Sequence, residues 1–142
     1  MRAARPWLVA LTLVLAALGS VAAVAASAPR PGTYRGGAGK RGTLSLYVSG
    51  RTIDLAAIKF GCGRTTATTA LNAVAIKRVR GVYRFGIRAH GNVSYADDHI
   101  DQNGSISISG QFSSSGASAR GTLRVRTPRC RKNKSVRWAV HR

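Results

Sequence analysis

The chain has 142 residues, of which 23 are Lys or Arg and only 4 are acidic, so its formal net charge is +19. A chain of this length can bury one modest core, which argues against a multidomain protein. All four acids are aspartate, so any chemistry that needs carboxylates depends on a very small set of residues.

The N-terminus has the layout of a secretory signal peptide. Arg2 and Arg5 precede the apolar stretch Leu8–Leu18, and small residues follow, with an A-x-A pattern at 23–25. These features are shared by the substrates of signal peptidase. We therefore expect a helical signal peptide at 1–25, its cleavage, and secretion of a mature chain with a net charge of +17 after the loss of two arginines. The alternative is an N-terminal membrane anchor, because the uncharged run is long enough to span a bilayer.

The mature chain is predicted to consist of a flexible lead-in at 26–42, rich in Gly, and one domain at 43–142. Within the domain, apolar and polar residues alternate in short runs, with turn signals near Gly50, near Gly81 and at 113–118. This period of two places successive side chains on opposite faces of a strand. The residues that we expect to form the core are Leu44, Leu46, Val48, Phe60, Tyr83, Phe85, Ile87, Ile106, Ile108, Phe112, Leu123, Val125 and Trp138.

About eight short strands, separated by turn signals roughly every ten residues, are typical of an all-β protein. We therefore expect an antiparallel β-sandwich, with a small β-barrel as the alternative. The basic C-terminal stretch belongs to this domain, because Val136, Trp138 and Val140 alternate with polar residues. A disordered basic tail would lack large apolar residues in a fixed phase.

The two cysteines, Cys62 and Cys130, are predicted to form a disulfide. A lone pair of cysteines in an exported protein is most simply explained as one bridge. Two thiols 68 positions apart, without companion Cys residues or an ordered His motif, do not make a zinc site. We expect no cofactor.

Several short motifs resemble those of small secreted β-domain proteins of high-GC actinobacteria. The motifs are PGTYRG at 31–36, YRF at 83–85, ISGQF at 108–112, ARGTLRV at 119–125, and a final cysteine followed by VRWAV at 136–140. The resemblance spans most of residues 31–140. It implies a β-sandwich with a Cys62–Cys130 link, and it assigns no activity and no catalytic residue. An Arg- and Ala-rich composition also points to a bacterial source.

Carboxylates and imidazoles gather in one stretch of the sequence. Asp97, Asp98 and Asp101 lie there beside His90 and His99. Such oxygens are calcium ligands in other proteins, and paired aspartates act as acid and base in hydrolases. Neither the spacing of an EF-hand nor a nucleophile elbow is present. We interpret the aspartates as turn residues of a polar hairpin loop, with a metal-binding or hydrolase site as the alternative.

Several arginines occupy the positions of the predicted strands that alternate with the apolar residues and therefore face outward. Arg84 and Arg88 share this phase on one strand, Arg124 and Arg126 on a second, and Arg137 on a third. If these strands lie in one sheet, the five arginines form a continuous basic face that is suited to bidentate contact with phosphate or carboxylate. Our hypothesis is a secreted, non-enzymatic domain that binds anionic polymers of a cell envelope, without specific recognition of nucleic acid. The alternatives are a solvated basic surface and a structural domain that binds another protein.

Overall fold

The computed structural model describes residues 25–130 and 135–142. Except for its last residue, the predicted signal peptide lies outside this range. The described chain forms nine strands, β1 (Gly32–Ala38), β2 (Gly42–Ser49), β3 (Thr52–Cys62), β4 (Thr65–Ala75), β5 (Lys77–Val79), β6 (Val82–Tyr95), β7 (Ile100–Phe112), β8 (Ser118–Arg126) and β9 (Val136–His141). In these two ranges, no helix is long and apolar enough to cross a membrane.

Eight of the nine strands close into one antiparallel barrel. Strands β1 to β4 pair in sequence, β6 to β9 do the same, and β9 pairs back with β1. Pairing of β4 with β6, at Ala67 with Tyr95 and at Thr68 with Ser94, completes the ring. The short strand β5 is an addition that pairs with β6 alone. The all-β prediction is confirmed, and the closed ring fits the small-barrel alternative.

The β-sandwich that we preferred from the sequence is not confirmed. A sandwich and a barrel both bury every second residue of each strand, so the alternation of apolar and polar residues is the same in the two architectures. What separates them is the pairing of the strands that are distant in sequence. The contact between β1 and β9, from Arg35 with His141 to Ala38 with Trp138, joins the two ends of the described domain.

Part of the predicted lead-in is barrel wall. Strand β1 pairs with both β2 and β9, and its residue Tyr34 is fully buried, with its hydroxyl hydrogen bonded to backbone carbonyl oxygens. The prediction of a flexible segment was therefore wrong for residues 32–38. Gly36 serves close packing, because a Cβ at this position would lie 1.8 Å from the carbonyl oxygen of Ala139.

Side chains fill the interior of the barrel. Of the thirteen residues predicted to form the core, twelve are buried and Ile87 is partly buried. The structure adds Tyr34, Ile53, Val93 and Val140 to the fully buried set. Their strands also alternate, so the signal was present in the sequence, but short β1 and the bulged stretch around Val93 weakened it.

Trp138 is the aromatic centre of the wall formed by β6 to β9. Across this wall, Trp138 on β9 lies opposite Gly121 on β8, followed by Gly110 on β7 and Phe85 on β6, and all four positions face the interior. The two glycines leave room for the indole, since a Cβ on Gly110 would lie 2.4 Å from the Trp138 ring and one on Gly121 would lie 2.7 Å from it. The indole consequently reaches the ring of Phe85, with the two centroids 5.8 Å apart.

The predicted disulfide is confirmed. Cys62 ends β3 and is joined to Cys130, four residues after β8, with the Cα atoms 5.3 Å apart. The backbone amide of Cys130 donates a hydrogen bond to the Thr127 hydroxyl at 2.9 Å. Because β3 and β8 lie on opposite walls of the ring, the bridge ties the segment after β8 across one end of the barrel.

Candidate anion-binding surface

The outer wall formed by β6, β7, β8 and β9 carries arginines that point away from the core. Buried and more exposed positions alternate along these strands, and the arginines occupy the outward phase. We call this set the arginine face, and its members are Arg84 and Arg88 on β6, Arg120, Arg124 and Arg126 on β8, and Arg137 on β9. The five arginines named from the sequence thus lie on one continuous stretch of barrel wall.

Strand β7 separates the arginines of β6 from those of β8. Arg88 lies opposite Ser107 on β7, and Ser107 lies opposite Arg124 on β8. Since neighbouring strands are about 4.8 Å apart, the Cα atoms of Arg88 and Arg124 are separated by roughly 10 Å. The rows on either side of this one are Arg84–Gln111–Arg120 and His90–Ser105–Arg126. Two lines of basic side chains therefore run along β6 and β8, with the uncharged residues 105–111 of β7 between them.

No carboxylate of the described chain neutralises the arginine face. Asp54 is on β3, on the opposite side of the ring, and the other aspartates lie at or beside the β6–β7 hairpin. The ion pairs found among the described residues are His99 with Asp101 and Arg129 with Asp97, and neither involves this face. Cations grouped without acids produce a positive local potential that attracts anions.

Arg120 is a member of the arginine face that was not predicted from the sequence. It lies on β8 in the same phase as Thr122 and Arg124, and its neighbour Ala119 is buried. The signal was present as the alternation in 118–126. It was weak because Gly121, which has no side chain to indicate a face, occupies the inward position between Arg120 and Thr122.

A shallow open groove of about 920 Å³ lies among three of the arginines. Arg84, Arg120 and Arg137 line it, together with Gly110 and the ring of Trp138. The outward residues of β7 that line the groove, Ser109 and Gln111, are uncharged and leave the space between the arginines open. The wall between the arginines is therefore accessible to a ligand.

The aspartates of the β6–β7 hairpin hold loops together. Both carboxylate oxygens of Asp97 accept hydrogen bonds from Arg129, at 2.8 and 2.6 Å. The Arg129 guanidinium lowers the pKa of Asp97 and also lies 5.2 Å from the ring centroid of Tyr95. Asp98 has a positive φ of 64° in the turn itself. This agrees with the interpretation of the loop as a polar hairpin whose aspartates form turns and offset a nearby arginine.

Asp101 belongs to a second hydrogen-bonded group at the same end of the barrel. The Tyr95 hydroxyl donates to Asp101 Oδ2 at 2.6 Å, and His99 Nε2 lies 3.0 Å from Oδ1. The hydrogen bond from Tyr95 is the main reason why the pKa of Asp101 is lowered. Burial, and then this same bond, raise the pKa of Tyr95. The Tyr95 hydroxyl also contacts the Thr127 hydroxyl, which connects the hairpin to the segment that carries the disulfide.

The structure does not bring together the five residues proposed as an enzymatic alternative. His99 and Asp101 are paired, whereas His90 points outward from β6, in the row of Ser105 and Arg126. Asp97 is engaged by Arg129. Within residues 25–130 and 135–142, no group of three or more His, Cys, Asp or Glu side chains is arranged to hold a metal ion.

Comparison of the chain with protein-family models, with curated proteins and with solved structures finds no match.

Proposed function

We propose that this protein binds linear anionic polymers through the arginine face, and that it does so outside a bacterial cell, as the predicted signal peptide and the resemblance to secreted actinobacterial β-domains suggest. The observation that carries the proposal is the strand register. It sets arginines of β6 on one side of β7 and arginines of β8 on the other, with no carboxylate among them.

The chemistry of arginine supports an anionic ligand. A guanidinium stays charged at every physiological pH and offers a planar set of donors that fits two oxygens of a phosphate or a carboxylate. Long-range attraction to the net positive chain raises the rate of encounter. Binding then releases the cations that had condensed on the polymer, and this release makes the affinity depend steeply on salt.

Uniform attraction by the net charge is the competing explanation, and two variants of equal charge separate it from a binding face. One variant replaces Arg124, Arg126 and Arg137 with serine. The control replaces Arg35, Lys59 and Arg64 with serine, and these three residues are exposed and lie on β1, on β3 and in the β3–β4 turn. Both variants lose three positive charges, so the net charge stays matched.

We expect the first variant to bind linear inorganic polyphosphate on the order of 100-fold more weakly than the parent, since each exposed charged contact contributes about 1 kcal/mol. The control should lose less than about fivefold. Calorimetric titration at low salt measures both affinities, and circular dichroism checks that both variants fold. Equal losses in the two variants would show that net charge alone acts, and the proposed face would be rejected.

A further inference from the structure

Strand β7 has an outward row of uncharged hydrogen-bonding side chains. We call this row the β7 track, and it consists of Ser105, Ser107, Ser109 and Gln111. Three rows of the sheet place a basic side chain on each side of the track, namely His90 and Arg126, Arg88 and Arg124, and Arg84 and Arg120. The track is therefore a polar line that has arginines on both sides at Ser107 and Gln111, and His90 and Arg126 on the two sides of Ser105.

From this arrangement we infer that the anionic polymer lies along β7 as a single extended chain linked through phosphates. The inference rests on the proposed function and adds the orientation of the polymer and its chemical class. Its basis is the match between one line of hydroxyl and amide groups and two flanking lines of cations.

The curvature of the barrel favours a chain parallel to the strands. The outer surface of a closed barrel bends away most strongly around the axis, so it curves more across the strands than along them. A flat partner, such as a bilayer, touches this surface along one line only, and a chain that crosses the strands must bend around it. A linear chain along β7 stays within reach of both flanking lines, which are roughly 10 Å apart at the Cα atoms.

The two-sided arrangement favours phosphate. In a phosphate-linked chain the charged group is part of the backbone, and its two free oxygens diverge, so one oxygen can face the arginines of β6 and the other those of β8. A pendant carboxylate lies to one side of its chain, so a polyuronate that follows β7 holds its charges away from the line of the track. Serine hydroxyls below the chain can donate hydrogen bonds to phosphate oxygens as well.

Arg124 is free to take part. Its Nε is buried, and it has no hydrogen-bond partner among the residues described. Turning this guanidinium towards a phosphate on the track breaks no hydrogen bond that the structure shows, and it provides a partner for a donor that lacks one. An unpaired buried donor is costly, so the bound state gains from this change.

A pair of serine-to-aspartate variants tests the position of the polymer. Ser107→Asp places an acid on the track between Arg88 and Arg124. Ser45→Asp is the matched control, because Ser45 is also half-buried, points outward from the middle of β2, and lies on the wall opposite β7. Both substitutions change the net charge equally.

We expect Ser107→Asp to weaken the binding of linear polyphosphate roughly tenfold at low salt, and Ser45→Asp to weaken it less than about twofold. Equal effects of the two variants would overturn the β7 track. If the variant with serine at Arg124, Arg126 and Arg137 still binds on the order of 100-fold more weakly than the parent, the proposed function survives that result. If the parent does not bind polyphosphate at all, both proposals fail.

The phosphate preference is tested with a polyuronate of matched charge density on the parent protein. A phosphate-linked chain is supported if the parent binds polyphosphate more tightly than the polyuronate, and if Ser107→Asp weakens the binding of polyphosphate but not that of the polyuronate. Equal affinity for the two polymers, with equal sensitivity to the substitution, overturns the phosphate assignment. Circular dichroism of both serine variants confirms that neither substitution unfolds the barrel.

Discussion

Replacing Trp138 with serine is expected to lower the free energy of unfolding by about 3–5 kcal/mol, the usual cost of deleting a buried aromatic side chain. Trp138 is only 2 % exposed and stacks on Phe85. The inward neighbours Gly110 and Gly121 have no side chains, so nothing on β7 or β8 can move in to fill the space. The loss should therefore lie at the upper end of that range.

Urea unfolding followed by circular dichroism measures this loss. Ala139→Ser is the control, since Ala139 is the next residue of β9 and points outward. We expect the control to change the stability by less than about 0.5 kcal/mol, as is usual for exposed positions. A loss below about 1 kcal/mol for Trp138→Ser would mean that the indole does not fill the wall between β6 and β9.

Removal of the disulfide is the second large effect that we expect. Replacing both Cys62 and Cys130 with serine should destabilise the barrel by about 2–5 kcal/mol, as found for native bridges in small secreted domains. The bridge closes a long loop, so its loss gives the unfolded chain more freedom. It also removes the covalent tie of the segment after β8 to β3, and the hydrogen bond from the backbone amide of residue 130 to the Thr127 hydroxyl does not replace that tie.

The mass of the intact protein, measured without a reductant, should be two hydrogens lower than the mass of the fully reduced chain. A reductant should lower the stability of the parent and leave the double variant unchanged. A parent whose unfolding midpoint does not respond to reductant, although the bridge is shown to be broken, would contradict the stabilising role. Substituting both cysteines avoids a free thiol, which could form bridges between molecules.

Alternation of apolar and polar residues predicted the class of the fold and most of its core. Leu44, Ile108 and Trp138, for example, stand in unbroken alternating runs, and all three are buried. The same alternation could not predict closure of the barrel. Closure depends on the pairing of β1 with β9 and of β4 with β6, and no local pattern of residues encodes which distant edges meet.

The glycines of the N-terminal stretch led the prediction in the wrong direction. Local sequence favours flexibility wherever glycines cluster, whereas Gly36 is needed because the backbone of β9 passes close to it. A close approach between distant strands is a tertiary property. For this reason the start of the domain at 43 was predicted too late, since β1 begins at residue 32.

The phase of the arginines was readable from the sequence, but their grouping was not. Arg124 and Arg137 could be assigned to the outward side of their strands from their apolar neighbours alone. Their position next to Arg88 required the order of β6, β7, β8 and β9 in the barrel. The position of the uncharged residues 105–111 of β7 between the two lines of cations emerges only from the register.

The dependence of polyphosphate affinity on salt tests the central claim most directly. If the six arginines of the arginine face each displace a condensed cation, the logarithm of the binding constant should fall with the logarithm of the salt concentration with a slope of about −4. The Arg124, Arg126 and Arg137 to serine variant should have a slope of about −2, because half of these contacts are gone. A slope near zero for the parent, or the same slope for parent and variant, would contradict binding through this face.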